Sequence, residues 1–134
     1  MSIVDLDSLN LDNLPQLHTL PDGAEAKLRI TEAMSGVGQS GLTWYRFRCE
    51  VVGDEEAQEI TIFVTIPDAT VQETKKFRYT AERYVDFLRA FGLPTKGAVN
   101  MDSDPVGKEA WALLSVKEGQ RGLENDVKRW VAPK

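Results

Sequence analysis

The sequence predicts a mainly β protein with a single helix, and three observations carry that reading. Residues 43–51 place Tyr45, Phe47, Cys49 and Val51 on one face and Trp44, Arg46 and Arg48 on the other. Residues 60–66 place Ile60, Ile62, Val64 and Ile66 opposite Thr61, Phe63 and Thr65. Successive side chains of a strand point to opposite faces, so both stretches read as half-buried strands. Only near residues 81–91 does the apolar period turn helical. There Ala81, Tyr84, Val85, Leu88 and Phe91 form one stripe.

The remaining elements follow in order. Residues 1–20 form an acidic, irregular arm in which Leu6, Leu9, Leu11, Leu14, Leu17 and Leu20 recur among Asp and Asn. The favoured reading is an arm that docks its leucines on the body. The other is a mobile acidic segment that recruits a partner or competes for a basic groove. Pro21-Asp22-Gly23 is a turn signal that opens a domain over residues 21–134. A first strand, Ala24 to Met34, alternates Ala26, Leu28 and Ile30 with Lys27, Arg29 and Thr31. Residues 35–41 read as a mobile loop with three glycines, without the Gly-Lys-Ser/Thr ending of a phosphate-binding loop. The Trp44 strand comes second. An acidic turn, Gly53 to Glu56, leads to the third strand, Gln58 to Ile66.

A polar connection with Lys75, Lys76 and Arg78 precedes the helix. Thr80 is its expected N-cap, and Gly92 its expected C-cap, with Pro94 preventing continuation. Residues 95–107 read as a solvated polar loop. A fourth strand, about Glu109 to Lys117, is apolar on both faces and reads as interior to a sheet. A hairpin over 118–122 leads to a fifth strand, about Asn125 to Val131. Three strands, a helix and two strands is the order of the OB-fold. That fold is a five-stranded Greek-key β-barrel with one helix between strands 3 and 4.

Composition narrows the function classes. The chain has 134 residues, enough for one domain with a real core. No apolar run approaches a membrane span, and no basic-then-apolar leader opens the sequence, so the expected location is the cytoplasm, with no membrane partner. The single Cys49 sits on an apolar strand face and reads as a buried, inert thiol. The formal net charge is −5, but Asp5, Asp7, Asp12 and Asp22 precede the first basic residue, Lys27. The rest is close to neutral, which permits a polyanionic partner. The only histidine, His18, lies in the arm and reads as solvated. Glu55-Glu56 and the Asp102/Asp104 pair read as turn carboxylates. No catalytic residue, metal ligand or cofactor site is expected.

A solvated face has no need of large aromatics, whereas a surface that stacks bases and neutralises phosphates does. OB-folds bind oligonucleotides on the strand 2–3 face, between the loops joining strands 1–2 and 4–5. That places Trp44 and Phe63 as stacking platforms. Arg46, Arg48, Lys75, Lys76 and Arg121 are the expected phosphate contacts. The alternative is a protein–protein interaction module that buries the same aromatic face in an oligomer or assembly.

Four stretches carry a family resemblance: Leu20-Pro21-Asp22-Gly23, residues 87–94 (Phe-Leu-Arg-Ala-Phe-Gly-Leu-Pro), Gly107-Lys108, and residues 125–130 (Asn-Asp-Val-Lys-Arg-Trp). In these the chain resembles small OB-fold single-stranded DNA-binding proteins of bacteriophages and prophages. The resemblance implies sequence-independent binding of single-stranded DNA in phage-type replication or recombination. Proteins of those processes are then the expected partners. It leaves RNA and a homo-oligomer open. Cellular relatives often end in an acidic tail that recruits partners. Here residues 131–134 read Val-Ala-Pro-Lys, so that role is not carried over.

Overall fold

The structure is a computed structural model and describes residues 2–14, 17–68, 70, 75–120 and 122–131. Its elements are β1 (Glu25–Val37), β2 (Thr43–Val51), β3 (Ile60–Thr65), α1 (Lys75–Ala90), β4 (Glu109–Gly119) and β5 (Gly122–Val131). All five strands form one antiparallel sheet in the order β3-β2-β1-β4-β5. The fold is therefore mainly β, with one helix between the third and fourth strands. The two edge strands, β3 and β5, approach each other without forming a ladder, so the sheet curls without closing. No helix among the described residues is long and apolar enough to cross a membrane.

The core lies on the concave side of this sheet. Leu28 and Ile30 of β1, Phe47 and Cys49 of β2, Ile60 of β3, and Ala112 and Leu114 of β4 are buried. β4 is paired on both sides, as its two apolar faces foretold. Burial pushes the Cys49 thiol up to about 12, so it stays protonated and inert at neutral pH. The helix adds the centre of the core. Phe87 stacks on Phe47 at 5.0 Å, touches Phe91 at 5.0 Å, and meets the Trp130 ring edge-on at 6.4 Å.

Several expectations from sequence need correction here. The helix begins at Lys75, not Ala81. Thr80 is therefore interior, and its hydroxyl donates to the Lys76 carbonyl at 3.0 Å. Lys75 and Lys76 belong to the first turn of α1 and not to a connection. The expected apolar stripe is also incomplete, because it omits Phe87, the most buried residue of the helix. Gly92 does end the helix, at φ +69°. The Leu93 amide donates to the Leu88 carbonyl at 2.7 Å and the Gly92 amide to that of Arg89 at 3.2 Å. This pair of bonds is the Schellman arrangement.

The loop after α1 is less solvated than its composition suggests. Asn100 and Asp104 satisfy backbone amides within the turn, while Met101 and Pro105 are buried. β1 runs on to Val37, so Ser35 and Gly36 are strand residues and the glycine loop shortens to 38–42. The hairpin is tighter too, since β4 and β5 pair out to Gly119 and Gly122.

The arm forms two 3-10 turns, Asp7–Leu9 and Leu11–Asn13. Leu6, Leu9, Leu11, Leu14 and Leu17 are exposed there, and only Leu20 packs on the core. The favoured docking of the leucines thus holds for Leu20 alone. His18 is not a free arm residue. Its backbone bridges Glu56 and Gln58, and its Nε2 lies 2.8 Å from Asp54 Oδ2. Two residues on, the buried Asn125 side chain accepts from the Leu20 amide at 2.8 Å. Its Nδ2 donates to the carbonyls of Leu20 at 2.9 Å and Ser115 at 3.2 Å. The chain from His18 to Leu20 thereby ties the approach to β3 to the start of β5.

These contacts generate three expectations for stability. Asn125→Ala leaves buried backbone groups unpaired and should destabilise the fold by roughly 1–3 kcal/mol in a urea titration. Deleting residues 2–14, which contribute no buried side chain, should leave the midpoint unchanged. The third concerns acid. Hydrogen bonds from Arg29, and then Lys27, hold the Glu109 carboxyl below its usual range. A lowered native pKa gives stability that is present above the unfolded value and lost as pH falls through the native one. Glu109→Gln should therefore lower the melting temperature at pH 7, and that penalty should shrink as the pH falls below the usual glutamate range.

Candidate functional site

The outward face of β1, β2 and β3 is built by strand alternation plus one irregularity. Between Ile30 and Glu32 the β1–β2 register shifts, leaving Thr31 as an extra residue whose hydroxyl donates to the Arg48 carbonyl at 3.1 Å. A bulge moves every following side chain to the other face. Beyond it, Glu32, Met34 and Gly36 stand on the outward face. Three cross-strand rows result: Glu32–Arg48–Thr61, Met34–Arg46–Phe63 and Gly36–Trp44–Thr65.

Each row has its own chemistry. In the first, Arg48 is tied to Glu32 at 3.1 Å and to Glu59 at 3.4 Å. Its charge is spent within the protein. In the second, Arg46 Nη2 donates to the Met34 sulfur at 3.0 Å and has no carboxylate partner among the described residues. A thioether is a weak acceptor, so this guanidinium keeps its charge available. Phe63, directly opposite, is 64% exposed, a costly position for a large apolar ring.

In the third row the Trp44 indole lies across Gly36. A Cβ at Gly36 would stand 2.8 Å from the indole Cε2 and closer still to Cζ2. The glycine is required by this approach, and the contact half-buries Trp44. Trp44 and Phe63 are diagonal neighbours with ring centroids 6.3 Å apart and planes tilted by 60°. Two rings and an uncompensated guanidinium thus share one patch, on a sheet whose other face is core.

The remaining sequence-derived candidates lie elsewhere. Lys75 and Lys76 are exposed on the first turn of α1. Arg121 lies outside the described residues. A groove of about 1960 Å³ begins at Arg46 and Phe63, passes Lys76, and continues between α1 and β5. It also takes in Tyr79 and Arg83, which sequence reasoning missed. Lys76, Tyr79 and Arg83 share one face of a helix by their i, i+3, i+7 spacing. That signal is present in the sequence but is lost when the helix is started at Ala81. No protein-family description and no curated protein sequence matches the chain.

Gly36→Val should test the patch directly. The added side chain cannot coexist with the indole, so Trp44 should swing into solvent and its emission shift to longer wavelength. Trp111 and Trp130 also emit, so the shift is read against Trp44→Phe, in which the same glycine change should have no spectral effect.

Proposed function

We propose that this chain is an OB-fold single-stranded DNA-binding protein acting in phage-type replication or recombination. The observation that carries the reading is the Trp44–Arg46–Phe63 patch, which sets exposed aromatic surface beside a guanidinium with no carboxylate partner among the described residues. The fold is compatible with it. β1 is paired with both β2 and β4, the helix falls between β3 and β4, and the sheet edges face each other, as in a five-stranded Greek-key barrel of the OB type. In such barrels the strand 2–3 face is where oligonucleotides lie.

The chemistry divides between stacking and charge. Any base has a π-face, so stacking on Trp44 and Phe63 is indifferent to sequence and contributes about 1–3 kcal/mol per base. Arg46, Lys75 and Lys76 would supply the salt-dependent part by releasing counterions from phosphates. Arg48 would add less, because a phosphate must first displace Glu32 and Glu59. The rival reading, a protein-interaction module, rests on the same exposed Phe63 and on the exposed leucines of the arm. It requires no affinity for nucleic acid.

Titration with oligo-dT tests the proposal. Trp44→Ala and Phe63→Ala should each weaken binding by roughly 1–3 kcal/mol while the fold is kept. Arg46→Ala should instead flatten the dependence of log affinity on log salt by about 0.7. No affinity for oligo-dT, or a preference for duplex over single strand, would refute the reading, because paired bases cannot reach the two rings.

A further inference from the structure

Resting on that reading, we infer that the bound strand does not end at Phe63 but crosses onto α1, where Tyr79 is a third stacking platform and Lys76 and Arg83 hold the backbone. Tyr79 is 61% exposed, nearly as open as Phe63. Its ring is held in place by Arg83, whose guanidinium carbon lies 5.7 Å from the ring centroid and whose Nη1 donates to the phenol oxygen at 3.2 Å. A helix surface does not need an exposed tyrosine braced by an arginine. The pair repeats the arrangement of the β face, an aromatic ring beside a cation with no carboxylate partner among the described residues.

Arg46 and Phe63 of the β face and Tyr79 and Arg83 of α1 line one groove, which also contains Thr61 and Thr65 along β3. Its charge suits a polyanion. α1 contributes Lys76, Arg83 and Arg89 to the lining, and β5 contributes Lys128 and Arg129. Of the carboxylates in the groove, Glu59 is already paired with Arg48 and Asp126 with Lys117. Asp86, Glu118 and Glu124 remain against those five cations. A single strand fits this lining better than a duplex, because successive unpaired bases can turn onto separate rings. A folded protein partner has no repeating charge to match the cations along the groove.

The test separates the two sites by oligonucleotide length. A short oligo-dT of about six nucleotides fills the β face alone, and one of about sixteen reaches α1, within the site sizes of such folds. Tyr79→Leu and Arg83→Gln should weaken binding of the long oligonucleotide about tenfold and leave the short one unchanged, while Tyr79→Phe retains affinity. In the unaltered protein, an oligo-dT carrying 5-iodouracil should crosslink to Tyr79 only when it is long. Equal effects on both lengths, no effect on either, or no crosslink at Tyr79 would overturn the extension while the β-face site stands. Failure of the unaltered protein to bind any oligo-dT would remove both.

Discussion

Phe87 holds α1 against two strands that do not pair with each other. Its ring stacks on Phe47 of β2 and meets Trp130 of β5, so one side chain spans the gap between the two halves of an unclosed sheet. Phe91 packs on the same Trp130 at 5.0 Å, which fixes the rotation of the helix as well as its position. Truncating a buried Phe typically costs about 3–5 kcal/mol, a large part of the stability of any small domain. The constraint reaches the surface. Arg83 precedes Phe87 by four residues and Lys76 by eleven, so both lie on the Phe87 side of α1 and, with Tyr79, line the groove beside β3.

The β face depends on a second constraint, the register of β1 against β2. Without the extra residue at Thr31, strict alternation from Leu28 and Ile30 would turn Glu32, Met34 and Gly36 inward. The bulge reverses them, so the indole of Trp44 finds a glycine and the guanidinium of Arg46 finds a sulfur. A side chain at position 36 would lift the indole away, and a carboxylate at 34 would neutralise Arg46. Both features of the patch therefore trace to one inserted residue and to what it aligns.

Much of this is legible in the sequence, and the division has physical causes. The ends of β2 and the inward and outward faces of β2 and β3 come out correctly, because one buried face imposes a period of two. The helix start is misread because Thr80 resembles a cap and Lys75 and Lys76 are polar. Neither fact outweighs the burial of Phe87, which only tertiary contact reveals. The bulge leaves no signal in alternation, since Thr31 and Glu32 are both polar. The tie between Leu20 and Asn125 joins residues 105 apart, beyond any local pattern. Tyr79 and Arg83 escape notice for one reason: they fall outside the expected stripe, Tyr79 before the assumed helix start and Arg83 on its polar side.

Net charge is a poor guide to how such a face meets a polyanion, and the ion pairs show why. Four of the acidic residues precede Glu25 and Lys27. Screening confines Asp5, Asp7 and Asp12 to an influence of about 8 Å at physiological salt, so they matter to the face only when the arm lies near it. Within the body, Lys27 and Arg29 share Glu109, Arg29 also holds Glu50, and Arg48 sits between two carboxylates. A phosphate approaching any of these must first compete with a bound carboxylate, so the exchange gains little. Arg46 rests on a thioether and Arg83 on a tyrosine ring, and neither contact cancels charge. On the proposed reading, the attraction that an approaching phosphate would meet comes from cations of this kind, without a carboxylate partner among the described residues. They stand beside the exposed rings, at Phe63 and at Tyr79, where a stacked base would bring its own phosphate.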